Sequence, residues 1–174
     1  MRLKPFLTLL LMVLSASAAT AAEPWTLDGR VVRVHDGDTL TLLDAQNRQH
    51  QIRLDGIDAP ELGQAFGKAS RKSLQEISLR QNAQASCHKQ DRYGRAVCRV
   101  TVNGADTSQF QLDTGMAWVF RRYERELAAP IRQAYDLSER QARQQRRGLW
   151  SEPSPEAPWD WRAAHAPKAA VRAD

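Results

Sequence analysis

The sequence predicts an α+β fold in which a five-stranded OB-type Greek-key β-barrel carries about three helices. Three strand-like segments are followed by a helical segment, two more strands and further helices, which is the order of an OB-type barrel with an inserted helix. The length of 174 residues suits one domain of ordinary size. A composition of 42% hydrophobic and 26% charged residues excludes a disordered chain and a polytopic membrane protein.

The first three predicted strands form a meander. Arg30 to His35 is rich in valine, and Asp36-Gly37 is a tight-turn signal that leads into the alternating segment Thr39 to Leu42. A second turn at Ala45 to Arg48 precedes the alternating segment Gln51 to Leu54. We therefore expect a β-hairpin followed by a third antiparallel strand.

Helical spacing then appears in three places. Apolar residues recur at helical intervals between Phe66 and Gln81. A short helix is expected over Thr107 to Thr114, ended by Gly115. The last helix is expected to begin at Pro130 and to end at Gly148, because proline favours the first turn and glycine the position after the end.

Cys87 and Cys98 lie in two strand-like segments that flank a turn. In an antiparallel pairing their apolar faces fall on the same side, at a Cα separation that a disulfide accepts. A disulfide is therefore expected in an exported chain, and two buried free thiols are the alternative. No CxxC motif or Cys/His cluster supports a zinc site or a thioredoxin-like site.

The first 22 residues have the features of a secretory signal peptide. Arg2 and Lys4 give a positive start, Phe6 to Leu14 is apolar, and Ala19-Thr20-Ala21 matches an A-x-A cleavage pattern. The apolar run is shorter than the roughly 20 residues that a membrane-spanning helix needs. We therefore expect an exported protein, periplasmic or secreted, without stable membrane association after cleavage.

The rest of the chain is expected to divide into a domain over 23–152 and a tail over 153–174 that is rich in proline and alanine. Trp159 and Trp161 suggest that the start of this tail docks on the domain. The formal charge of +5 suits a polyanionic partner without identifying one.

Acids and arginines cluster at the ends of the predicted strands. A strongly coiled meander returns the end of the third strand to the first turn, so Asp38 and Asp58 are expected to share a cation. Hard oxygen ligands favour Ca²⁺ or Mg²⁺. Each residue alone has a simpler structural interpretation. Asp36-Gly37 is also explained as a hairpin turn, and Glu61 as part of the cap of the following helix.

The ordered set of motifs resembles the staphylococcal (micrococcal) nuclease family, also called thermonucleases. The resemblance runs from about Val31 to Glu152. Several short motifs in the same order are more specific than any one of them. In chain order they are Asp36-Gly37-Asp38-Thr39, Arg53 to Glu61, Asp91-Arg92-Tyr93-Gly94-Arg95, Gly115 to Val119, and Gly148 to Glu152.

The resemblance implies a calcium site and a general base. It identifies Asp38 and Asp58 as calcium-binding carboxylates, with the main-chain carbonyl of Ala59 as a further ligand. It identifies Glu61 as the general base that activates water. A carboxylate can orient or deprotonate an attacking water, so the chemistry agrees with this role.

The resemblance also implies that Arg53 and Arg95 contact the scissile phosphate. Two forked guanidiniums would stabilise charge that develops on phosphorus oxygens, and a lysine would lack this planar fork.

Four further residues are implied to bind the substrate. Arg92 stands where the family has a phosphate-binding lysine, and Tyr93 keeps the adjoining tyrosine. Tyr123 matches one of two tyrosines that line the family's nucleotide pocket, whereas Arg121 replaces the other. We expect phosphate contact to increase there at the expense of aromatic stacking.

The resemblance therefore predicts a monomeric, calcium-dependent endonuclease that cleaves DNA and RNA with little sequence specificity and leaves 3′-phosphate and 5′-hydroxyl ends. A non-catalytic OB-fold module that binds single-stranded nucleic acid is the alternative. Such a module would be expected to lack at least one of the metal-binding and catalytic side chains. All five are present: Asp38, Arg53, Asp58, Glu61 and Arg95. A periplasmic protein with a structural calcium ion would leave both arginines unexplained.

Overall fold

Eight β-strands and six helices make up the computed structural model of the chain, which describes residues 23–166. The predicted signal peptide (1–22) and the last residues of the predicted tail (167–174) lie outside the described residues. The strands are β1 (Trp25–Val34), β2 (Thr39–Leu43), β3 (Gln49–Leu54), β4 (Ile57–Asp58), β5 (Asn82–Gln90), β6 (Ala96–Val102), β7 (Ala105–Asp106) and β8 (Trp118–Val119).

Within the described range there are four α-helices and two 3-10 helices. The α-helices are α1 (Gly67–Ser78), α2 (Thr107–Asp113), α3 (Ala129–Gln144) and α4 (Pro158–His165), and the 3-10 helices are Arg121–Glu126 and Gly148–Ser151. No helix over residues 23–166 combines the length and apolar character needed to cross a membrane.

The five long strands close into a barrel. Their order is β3-β2-β1-β5-β6, and β3 also pairs with β6, so the first and last strands meet. The β3–β6 pairing is parallel, with Ile52 opposite Ala96 and Leu54 opposite Cys98. The other neighbouring pairs are antiparallel. The predicted α+β fold with an OB-type barrel is therefore confirmed.

The barrel interior is filled by the inward side chains of these strands. Leu40, Leu42, Ile52 and Leu54 are at most 1% exposed. On β3, Ile52 and Leu54 are two residues apart because alternate side chains of a strand point to the same face, here the core. Tyr135 from α3 is also buried and packs on the same core.

The predicted disulfide is present. Cys87 of β5 and Cys98 of β6 are paired in register, and their Cα atoms are 4.0 Å apart. The alternative of two buried free thiols is wrong. The bond joins the two strands whose connecting turn carries Arg92, Tyr93 and Arg95.

The predicted end of the last long helix needs correction. The last long helix ends at Gln144, not at Gly148, and Arg146 adopts a left-handed backbone (φ 51°) beyond its end. Gly148 instead begins a 3-10 helix, where an added Cβ would lie 2.3 Å from the carbonyl oxygen of Gly115. Close backbone contact, rather than helix termination, explains this glycine.

The segment after Pro153 contains α4, a fourth helix beyond the three expected. Pro158 occupies the first turn, where a missing N–H costs no hydrogen bond. Trp159 packs against Trp118 and Phe120, with ring centroids 5.7 and 6.0 Å apart. The expected docking of this segment is confirmed, and it brings α4 to one end of the barrel.

Candidate active site

A cleft of about 1050 Å³ opens at one end of the barrel. Its walls come from the β1–β2 turn, the loop after β4, the β5–β6 turn, the 3-10 helix at 121–126, and α4. All ten candidate site residues line this one cleft: Asp38, Arg53, Asp58, Ala59, Glu61, Arg92, Tyr93, Arg95, Arg121 and Tyr123.

The β1–β2 turn holds Asp38 in a fixed orientation. Its backbone N–H donates to Asp36 Oδ1 (3.0 Å), and its side chain accepts from Thr39 Oγ1 (3.0 Å) and from the backbone N–H of Ala59 (2.7 Å). Gly37 lies against α1, where an added Cβ would fall 1.8 Å from Ser70 Oγ. The glycine therefore allows the turn to sit directly on the helix.

Arg53 joins the two candidate metal carboxylates. Its Nη1 lies 2.8 Å from Asp38 Oδ2, and its Nη2 lies 3.0 Å from Asp58 Oδ1. Asp58 is 1% exposed and is held by the β4–β8 pairing, opposite Trp118. Because one guanidinium spans both carboxylates, the expected proximity of Asp38 and Asp58 is present in the fold.

Two of the cleft carboxylates, Asp36 and Asp58, have raised pKa values. Burial and the neighbouring Asp38 carboxylate raise the pKa of Asp36 to about 7. Burial also raises the pKa of Asp58, although Arg162 and Arg53 oppose the shift. Burial is the main cause of both shifts, and carboxylates with raised pKa values in a cleft are typical of functional sites.

Glu61 lies on the loop between β4 and α1. It is partly exposed, and its Oε1 accepts a hydrogen bond from Arg162 Nη1 at 2.7 Å. Arg162 also donates to Asp58 through Nη2 (2.6 Å) and Nη1 (3.2 Å). Burial disfavours the charge of Arg162, but these hydrogen bonds outweigh burial and raise its pKa.

Arg95 is fixed by its own turn. Its Nε and Nη2 both lie 2.7 Å from Asp91 Oδ2, and its Nη1 donates to Thr39 Oγ1 at 3.2 Å. Despite some burial, the hydrogen bonds from Arg95 and from the backbone of the turn lower the pKa of Asp91. The anchored carboxylate holds the guanidinium at the cleft wall.

The same turn carries an exposed aromatic ring. Tyr93 is 69% exposed, with the guanidinium of Arg92 5.0 Å and that of Arg95 5.5 Å from its ring centroid. An exposed ring among cations is suited to a ligand that combines phosphates with planar bases.

Arg121 and Tyr123 lie on the opposite wall. Arg121 forms ion pairs with Asp136 and with the buried carboxylate of Glu139, the latter at 3.0 Å. Tyr123 is 39% exposed, and Lys89 Nζ lies 4.5 Å from its ring centroid. The guanidinium of Arg121 is therefore shared between the cleft and α3.

The cleft residues that the sequence analysis did not assign to the site include Phe120, Trp159 and Arg162. Tyr123, Phe120 and Trp159 form a row of rings with successive centroid distances of 5.3 and 6.0 Å. Two tryptophans in a proline-rich segment were a signal for docking, but no pattern indicated that Arg162 reaches Asp58 and Glu61. Those contacts span 104 and 101 residues of sequence.

Comparison with known proteins agrees with this geometry. The family described as staphylococcal nuclease homologue matches residues 51–152. A micrococcal nuclease from Shigella flexneri is 41% identical over 146 residues, covering 78% of this chain and 80% of that protein. An uncharacterized endonuclease from Escherichia coli O157:H7 is 38% identical, covering 78% and 85%. Another, from Haemophilus influenzae, is 35% identical, covering 91% and 85%. The chain therefore belongs to the staphylococcal nuclease family and is a nuclease hydrolase.

Proposed function

We propose that this nuclease is a calcium-dependent endonuclease that cleaves both DNA and RNA with little sequence specificity and leaves 3′-phosphate and 5′-hydroxyl ends. One observation carries the proposal: Arg53 spans two buried carboxylates, Asp38 and Asp58, in a cleft that also presents Arg95. Carboxylates that attract a divalent cation and guanidiniums that attract a phosphate are the two components that phosphodiester hydrolysis needs.

The carboxylates fit a calcium ion by their chemistry. Every candidate ligand is a hard oxygen: the Asp38 and Asp58 carboxylates and the carbonyl of Ala59. Over residues 23–166 no group of three or more His, Cys, Asp or Glu side chains is placed to hold a metal ion, so the candidate site rests on two carboxylates and a main-chain carbonyl. A site with few protein ligands leaves positions for water and substrate oxygens, and an irregular set of ligands suits the geometrically tolerant Ca²⁺ better than Mg²⁺, which demands near-ideal octahedral geometry. Bound Ca²⁺ would supply positive charge next to the reacting phosphate.

The chain's own groups account for the proton and charge movements. Glu61 orients a water and takes its proton as the water oxygen bonds to phosphorus. The bond between phosphorus and the 5′ oxygen then breaks, and the 5′ oxygen takes a proton from solvent to leave as a hydroxyl, while Glu61 releases to solvent the proton that it accepted. Arg53 and Arg95 stabilise the negative charge that develops on the phosphoryl oxygens.

The outer cleft is proposed to bind the flanking nucleotides. Arg92 and Arg121 attract phosphates, and the exposed rings of Tyr93 and Tyr123 stack on bases of any identity. Contacts of this kind do not read base edges, which accounts for the low sequence specificity. Activity should therefore fall as salt rises and should favour single-stranded regions.

The wider context is also a proposal. The features of residues 1–22 and the disulfide both support an exported protein, periplasmic or secreted, whose nuclease domain spans 23–152 and whose tail spans 153–174. We propose that it acts as a monomer without stable membrane association.

Incubation of the mature chain with plasmid DNA, single-stranded DNA and RNA in Ca²⁺, Mg²⁺ or EDTA tests the proposal. Cleavage of all three substrates in Ca²⁺, little in Mg²⁺ and none in EDTA is expected. The product 5′ ends should accept phosphate from polynucleotide kinase without prior dephosphorylation. Asp38→Asn should abolish cleavage, whereas Asp44→Asn, the same charge change outside the cleft, should not.

Two results would contradict the proposal. Full activity in EDTA would show that cleavage does not depend on a metal ion. Retention of single-stranded DNA without cleavage under any metal condition would instead indicate a binding module.

A further inference from the structure

Helix α4 places one guanidinium between two residues of the proposed catalytic machinery. Arg162 donates to both oxygens of Asp58 (2.6 and 3.2 Å) and to Glu61 Oε1 (2.7 Å). Asp58 lies on β4 and Glu61 on the loop that follows, so Arg162 holds these two elements together. The helix lies beyond residues 51–152, the part of the chain that matches the family.

The backbone of the Glu61 loop is tied to the same C-terminal segment. The backbone N–H of Glu61 donates to Gln64 Oε1 at 3.1 Å, and Gln64 Nε2 donates to the carbonyl of Glu156 at 2.8 Å. Residues 156–162 therefore contact Glu61 through its side chain and, by way of Gln64, through its main chain.

Arg162 is the side-chain partner that fixes the Glu61 carboxylate. Over residues 23–166 that carboxylate has no other hydrogen-bond or ion-pair partner. Glu61 lies outside any helix or strand, and its side chain is 35% exposed. A base on such a loop needs a support, because a displacement of about 1 Å costs on the order of 10²-fold in rate.

Helix α4 is held in place independently of Arg162. Trp159 packs against Phe120 and Trp118, and Ala157 and Pro158 are buried. The ion pair of Arg162 is therefore presented by a docked helix, and a substitution at Arg162 leaves the other contacts of α4 intact.

We propose that Arg162 is a positioning residue for phosphodiester hydrolysis, which holds the Glu61 carboxylate beside Asp58 in the orientation that activates water. The inference rests on the roles assigned to Asp58 and Glu61 in the proposed function. It extends the active site to a helix outside the matched family region. The planar fork of arginine spans two carboxylates, which a lysine ammonium cannot do with the same geometry.

Steady-state kinetics of Arg162→Ala and Arg162→Lys on single-stranded DNA in saturating Ca²⁺ test the proposal. Arg162→Ala should lower kcat by at least about 10-fold, with KM changed by less than about twofold, because substrate binding does not depend on the base. Arg162→Lys, which keeps the stem and the charge, should retain an intermediate kcat. Added guanidinium ion should restore part of the kcat of Arg162→Ala. His165→Ala, on the same helix and outside the cleft, is the matched control.

A double-mutant cycle identifies the residue through which Arg162 acts. In a Glu61→Gln background, Arg162→Ala should lower kcat by less than about twofold further, because the base is already lost. An equal loss in both backgrounds would show that Arg162 contacts the phosphate directly and would overturn the proposal. A higher kcat in Arg162→Ala would show that Arg162 blocks the site and would also overturn it.

Calcium affinity, measured by isothermal titration calorimetry, separates positioning from metal binding. Arg162→Ala should bind Ca²⁺ at least as tightly as the unaltered chain, since a cation next to Asp58 has been removed. Weaker binding that accounts for the lost activity would overturn the positioning role. Unchanged kcat in Arg162→Ala would overturn this inference alone, whereas unchanged kcat in Glu61→Gln would overturn the proposed base and this inference with it.

Discussion

The two turns that flank β2 both carry aspartates, but they surround them with opposite environments. In the turn between β2 and β3, Asp44 accepts hydrogen bonds from the backbone of Gln46, from the backbone and side chain of Arg48, and from the ring of His50. The hydrogen bond from His50 and those from the turn lower the pKa of Asp44. In the turn between β1 and β2, burial and Asp38 raise the pKa of Asp36 to about 7.

The difference separates a structural turn from a turn that belongs to the candidate active site. Asp44 gains partners on folding, so its charge stabilises the native chain. In the β1–β2 turn, burial and the neighbouring Asp38 carboxylate disfavour the charged form of Asp36, so its charge destabilises the folded chain. Composition alone does not distinguish the two turns, whereas their hydrogen-bond partners do.

The largest expected effect is a loss of turnover in variants of the cleft residues. Arg53→Ala, Arg95→Ala and Glu61→Gln should each lower kcat by at least about 10²-fold, because each removes a charged donor or a base that acts in the transition state. Their effects should not multiply. Turnover and denaturation midpoint are measured on the same samples, with Arg48→Ala from the structural turn as the control.

The capping role for Glu61 that the sequence also allowed is wrong, because α1 begins at Gly67 without a side-chain cap and the Glu61 carboxylate pairs with Arg162. Near-unchanged kcat in Glu61→Gln, together with a small loss of stability, would therefore mean that Glu61 serves only as an ion-pair partner of Arg162. The cleft would then lack its proposed general base.

Removal of the disulfide tests whether lost stability alone abolishes turnover. Cys87 and Cys98 are 11 residues apart in sequence, and closing such a loop contributes about 2 to 3 kcal/mol in the chain-entropy account. The double alanine variant should lose about that much free energy of unfolding and keep its kcat at 25 °C. Urea denaturation and kinetics measure the two quantities, and a proportional fall in kcat would contradict the separation.

Asp36→Asn tests the raised pKa of Asp36 through the pH dependence of the melting temperature. A carboxyl whose folded pKa is about 7 rather than 3.8 favours folding only when protonated, so its penalty is absent below about pH 4 and complete above about pH 7. Without metal, Asp36→Asn should therefore raise the melting temperature at pH 8 and leave it unchanged at pH 3.5. A lower melting temperature at pH 8 would contradict the raised pKa.

Asp44→Ala should produce the smallest effect and the opposite sign. Loss of the hydrogen bonds to Asp44 should lower the melting temperature by a few degrees at pH 7 with kcat unchanged. Calorimetry and a parallel kinetic assay check both parts. A large loss of kcat would show that the second turn also serves the cleft.

Much of the fold and the cleft was predictable because local pattern carries it. Period-two alternation located β2 and β3, and the registered faces of Cys87 and Cys98 predicted their disulfide. The motifs placed Asp38 and Asp58 close together, and Arg53 spans them in the structure.

The remainder depends on contacts that no local pattern encodes. Helix α4 follows proline-rich sequence, and the partners of Arg162 are about 100 residues earlier in the chain. The pairing of Arg121 with Asp136 and Glu139 likewise depends on how α3 packs. The raised pKa of Asp36 arises only when the barrel closes around it.

The melting temperature at pH 8 with and without Ca²⁺, for the unaltered chain and for Asp58→Asn, tests the central claim most directly. A cation that binds only the folded chain stabilises it by mass action. Ca²⁺ should raise the melting temperature of the unaltered chain and leave that of Asp58→Asn unchanged. No shift in the unaltered chain, or an equal shift in both, would contradict the claim that this acidic turn and Asp58 form a cation site.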